Sequence, residues 1–123
     1  MFAMSVLRAI SIQTHAALEV LAAPLLIVAP FALGFSYLAG ALSIALGVML
    51  IGLALSVYGD AQRGTIPLTA HAGLDYSLAA TTIAVGIAAA IVGDLVATVF
   101  LVGFGSAHLA LTASTRFTRP LGA

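Results

Sequence analysis

Residues Leu38–Tyr58 read LAGALSIALGVMLIGLALSVY, with no charged residue from end to end. About 20 mostly apolar residues in a helix cross a hydrocarbon core of about 30 Å. The run therefore predicts a membrane span, and three similar runs fill most of the chain. One covers His15–Phe35, with Thr14 as its expected N-cap and Pro24 and Pro30 inside it. Another starts near Pro67–His71 and ends near Val92, and the last covers Leu95–Ser114. Gly59–Thr65 is the one long polar stretch between spans. Gly93-Asp94 forms the turn before the last span, with Asp94 placed to cap it.

Composition points the same way. Hydrophobic residues make up 63% of the 123 residues and charged residues 7%. A soluble domain carries roughly 25% charged residues. So few charges cannot cover a surface in water, so the outer surface is expected to face lipid. The predicted fold is an all-α four-transmembrane-helix bundle, a single membrane domain over residues 1–123 with the bilayer as its first partner. Net charge is zero and no basic patch exists, which argues against nucleic acid as a partner. Cysteine is absent, so disulfides, thiolate metal sites and cysteine nucleophiles are excluded. Lysine is absent too, which excludes a lysine Schiff base.

Arg8 ahead of an apolar run has the outline of a signal peptide, but His15 and Glu19 suit its apolar segment poorly. Met1–Gln13 reads either as a short interfacial helix or as a frayed terminus. The arginines set an orientation. Arg8 precedes the first span, Arg63 lies between the second and third, and Arg116 and Arg119 follow the fourth. The positive-inside rule then places both termini and the central loop in the cytoplasm.

The chain also repeats. His15-Ala16-Ala17-Leu18-Glu19 matches His71-Ala72-Gly73-Leu74-Asp75, 56 residues on. At that spacing Gly47 falls on Gly103, and Gly52 falls on His108. Two parallel two-span repeats are expected, over 14–60 and 66–115, related by an axis along the membrane normal.

Leu25-Leu26-Ile27-Val28-Ala29-Pro30-Phe31-Ala32-Leu33-Gly34-Phe35-Ser36 resembles the SPW-repeat family of small bacterial membrane proteins. That family has paired membrane helices around a Ser-Pro-Trp motif followed by Leu-Gly-Phe. Here the motif position reads Ala29-Pro30-Phe31, and the second copy has Val85-Gly86-Ile87. The resemblance implies a duplicated two-span unit in a bacterial inner membrane. It brings no activity and no catalytic residue.

The polar residues inside the spans are the candidates for chemistry. His15 and Glu19 are four apart and share a helix face, as do His71 and Asp75. His108 lies in the fourth span, and all five are expected in the cytoplasmic half. Ionisable groups in a bilayer are costly and usually face a bundle interior or a wet cavity. Histidine with carboxylate suits a metal, two histidines suit haem, and both suit a proton relay. The plainer reading is a staple, in which the acids favour helix N-termini and pair with the histidines or the nearby arginines. No cofactor is required by the sequence, and no nucleophile motif or phosphate-binding loop is present. Small residues such as Ser43/Gly47, Gly86/Ala90 and Ser106/Ala110/Ser114 suit close helix packing. The functional expectation is a structural or accessory subunit that self-associates or joins other membrane proteins. The alternatives are a small proton or cation transporter, and a metal or haem protein.

Overall fold

The computed structural model describes residues 8–58 and 66–118. The Gly59–Thr65 loop, Arg63, Arg119 and the first seven residues lie outside it. Within it, β1 (Ile10–Ser11) leads into α1 (Ile12–Leu33), α2 (Tyr37–Leu55), α3 (Leu68–Ile91), α4 (Leu95–Ala113) and β2 (Thr115–Arg116).

All four helices are long and apolar enough to cross a membrane. Their outward residues are apolar as well: Leu21 is 74% exposed, Phe31 77% and Val99 75%. Such a surface is stable in lipid and not in water. The molecule is an all-α four-helix bundle of the integral membrane class.

Side-chain caps set the starts of α1, α2 and α4. Ser11, not Thr14, caps α1: its Oγ accepts the Thr14 N–H at 3.2 Å. The helix therefore begins one turn before the expected cap. The structure also replaces the last part of the expected interfacial helix, because Ile10 and Ser11 are extended. They pair in parallel with Thr115 and Arg116, tying the start of α1 to the end of α4. Ser36 caps α2, and Gly34 turns the chain before it at φ 72°. Asp94 caps α4 as expected, accepting Ala97 N–H at 3.1 Å. It also accepts the Ser36 N–H at 2.8 Å, so one carboxylate joins both outer turns.

Packing is tightest within the hairpins α1–α2 and α3–α4, while α1 and α4 meet over only a short stretch. Pro30 lacks an N–H, so the Leu26 carbonyl loses its helical donor. Ser43 of α2 replaces it, donating to Leu26 O at 2.6 Å. Gly47 of α2 lies against α1, where a Cβ would stand 3.0 Å from Ala23 O and 2.8 Å from Ile27. Gly105 of α4 lies against α3, where a Cβ would stand 3.0 Å from Ala79 O and 2.6 Å from Ile83. Gly103, expected to match Gly47, has open space around it instead. The reason is length: α3 has 24 residues and α1 has 22. The helix after α3 is therefore displaced by two positions from the expected spacing of 56. Leu50, not Gly52, then falls opposite His108.

Candidate functional site

The bundle gathers five ionisable side chains at one end. His15 is the fourth residue of α1 and His71 the fourth of α3, so they lie at equal depth. Glu19 and Asp75 follow one turn later on the same faces. His108 comes from near the other end of α4, which runs back to that level. All five are buried: His15, His71 and Asp75 at 0% exposure, Glu19 at 1% and His108 at 6%.

The three Nε2 atoms converge on the two carboxylates. His15 Nε2 lies 2.8 Å from Asp75 Oδ2 and 3.1 Å from Glu19 Oε2. His71 Nε2 lies 3.0 Å from Asp75 Oδ2 and 3.6 Å from Glu19 Oε1. His108 Nε2 bridges both acids, at 2.8 Å from Glu19 Oε2 and 3.1 Å from Asp75 Oδ1. Among the described residues the ion pairs of the two acids are with histidines only; neither Arg8 nor Arg116 reaches them. The staple between acids and arginines therefore does not form with these two.

Residues outside the expected set fix the imidazoles. Thr115 Oγ1 donates its one proton to Leu111 O at 2.6 Å. It can only accept at its other contact, 2.7 Å from His15 Nδ1. His15 therefore carries a proton on Nδ1. Ser56 repeats the arrangement, donating to Leu53 O at 2.5 Å and facing His71 Nδ1 at 3.4 Å. In a neutral ring the proton on Nδ1 leaves a bare lone pair on Nε2. Both Nε2 lone pairs then point at carboxylate oxygens, which also present lone pairs. A proton on either partner, or a metal ion, must lie between them.

Phe117 covers the cluster at the bundle end, its ring centroid 5.3 Å from that of His15 and 6.0 Å from that of His71. No sequence pattern singled out Thr115, Ser56 or Phe117 for this task. Thr115 and Phe117 fall beyond the expected fourth span, and Ser56 is one small residue among many in the second.

With three neutral histidines the cluster carries two negative charges, a costly state in a bundle interior. Two protons or one divalent cation would neutralise it. His15, Glu19, His71 and Asp75 each offer a ligand atom, all within 4.8 Å of one another. Donors about 2.1 Å from one ion at tetrahedral or octahedral angles stand about 3.0–3.4 Å apart. The observed nitrogen–oxygen separations of 2.8–3.6 Å bracket that spacing.

Compared with known protein families, curated proteins and solved structures, the chain matches none.

Proposed function

We propose that this protein is a membrane-embedded metal protein, whose centre is held by His15 and His71 through Nε2 and by Glu19 and Asp75 through carboxylate oxygens, with His108 Nε2 bridging the two acids beside it. One observation carries the reading. His71 Nε2 stands 3.0 Å from Asp75 Oδ2 without the alignment of a hydrogen bond, and Glu19 Oε1, 3.6 Å from the same nitrogen, is buried without one as well. Protons would sit in hydrogen bonds between such groups. Lone pairs aimed at a shared point between them suit a metal ion. The Nδ1–H contacts to Thr115 and Ser56 are the partners that ligating histidines usually have. Mixed nitrogen and oxygen donors without sulfur suit zinc, manganese or iron(II) better than magnesium or calcium, which prefer oxygen alone.

The rest of the molecule supports a duplicated scaffold for this centre. Equal depth of the two His-x-x-x-acid pairs supports two copies of a two-span unit. The second copy carries His108 where the first carries Leu50. The copies thus supply two histidine–acid pairs and one further histidine. Arg8 and Arg116 lie at the cluster end of the bundle, which supports a cytoplasmic position for that end.

Melting of detergent-solubilised, chelator-treated protein tests the metal reading. Zinc, manganese or iron(II) at about 100 times its dissociation constant stabilises the native state by about 2.7 kcal/mol. The melting temperature should rise with one of these ions and stay unchanged with magnesium. No rise with any of the three leaves a cluster neutralised by two protons, and the metal reading is then wrong.

A further inference from the structure

We infer that a groove between α1 and α4 admits a membrane-dissolved alcohol, a hydroxyl on a long apolar chain or ring, and presents that hydroxyl to His108.

The groove measures about 300 Å³ and opens where α1 and α4 part. Its walls are Leu18 and Leu25 of α1, Phe104 and Leu111 of α4, and Leu50 behind them. Leu18 and Leu25 are 43% and 53% exposed on the lipid side, so the mouth faces the bilayer core rather than water. Its floor is polar, formed by Glu19 and His108. A site with apolar walls and few convergent polar groups fits a small ligand.

The floor selects the head group. His15 and His71 each have a hydroxyl at Nδ1, from Thr115 and Ser56. His108 has none: among the described residues its hydrogen bonds run from Nε2 only. A ligand hydroxyl would complete the set. It accepts from Nδ1–H or donates to a bare Nδ1, so it serves either tautomer. A carboxylate or phosphate head would carry its charge into a groove with apolar walls and no cationic side chain in its lining. An alkane has nothing to offer the ring. A neutral hydroxyl on a lipid-soluble body satisfies walls and floor together. This reading extends the cluster described above, and it holds whether the cation there is a metal or protons.

Photolabelling in lipid nanodiscs tests it, with three diazirine probes of equal chain length: hexadecanol, hexadecane and hexadecanoate. Labelled residues are read by mass spectrometry, and metal content is measured on the same samples. Alcohol should label α1 and α4 at the groove about tenfold more than alkane, the ratio that about 1.4 kcal/mol of hydrogen bonding supplies. Hexadecanoate should label less than alcohol. Ala107→Trp fills the groove from its lipid side and should abolish the preference, with helix content unchanged by circular dichroism. Equal labelling by alcohol and alkane overturns the inference, because the groove then merely holds lipid chains. So does an alcohol preference that survives Ala107→Trp. Metal without an alcohol preference defeats this inference alone. An alcohol preference in protein that binds no metal defeats the metal reading alone.

Discussion

Thr115 determines what His15 can bind. Its hydroxyl proton goes to Leu111 O, so it holds the His15 Nδ1–H and turns the Nε2 lone pair into the cluster. Thr115→Val removes that anchor while leaving every proposed ligand in place. Loss of such a partner typically costs 10–100-fold in metal affinity. Competition titration against a chelator should show a loss of about that size for Thr115→Val, and near-native affinity for Thr115→Ser, which keeps the hydroxyl. Unchanged affinity in Thr115→Val would mean that the hydroxyl does not set the tautomer. The five ionisable residues were legible in the sequence because charge-bearing groups stand out in apolar spans. The hydroxyls were not, because a serine or threonine in such a chain is an ordinary packing residue until its partner is known.

The helices themselves were legible because length and apolarity suffice to define a span. Their register was not. Spacing of 56 aligns the histidine–acid pairs, but alanine and leucine matches could not reveal the two extra residues of α3. The structure separates Gly103 from Gly105. A Cβ at Gly105 would meet the Ala79 backbone at 3.0 Å and Ile83 at 2.6 Å, so Gly105→Ala must push α3 and α4 apart. Overpacking of this kind costs about 1–3 kcal/mol. Gly103→Ala meets nothing and should leave stability within about 0.5 kcal/mol, by denaturant unfolding in micelles. Equal effects of the two would contradict the packing described. Asp94 gives the outer turns a pH dependence. The Ser36 and Ala97 N–H groups hold its carboxyl below the ordinary aspartate value of 3.8. A depressed native value adds stability above the unfolded value, and that stability is lost as pH falls through the native one. Wild type should therefore melt above Asp94→Asn at pH 5 and higher. The difference should shrink below about pH 3.8 and vanish in stronger acid. A pH-independent difference would mean that the charge contributes nothing.

The bundle as a whole places its five buried ionisable residues at one end and Asp94 in the outer turns at the other. The proposed orientation puts the cluster end in the cytoplasm. Val92→Cys, in the outer turn and 75% exposed, should react with an impermeant maleimide only from outside. A cysteine at Thr118 should react only after the membrane is opened. Reversed labelling would invert the molecule and leave its fold intact. Convergence of α1, α3 and α4 on one point is what the sequence could only anticipate, since matching depth does not say which groups touch. The structure brings three imidazoles and two carboxylates together in a buried interior. The most direct test is X-ray absorption at the metal edge of protein loaded with zinc and washed free of excess. Stoichiometric zinc should appear with only nitrogen and oxygen neighbours at about 2.0–2.2 Å and the scattering pattern of bound imidazole. His15→Ala/His71→Ala should lose it while keeping its helix content. Folded wild-type protein that retains no zinc, manganese or iron, or a double variant that retains as much as wild type, would contradict the metal centre.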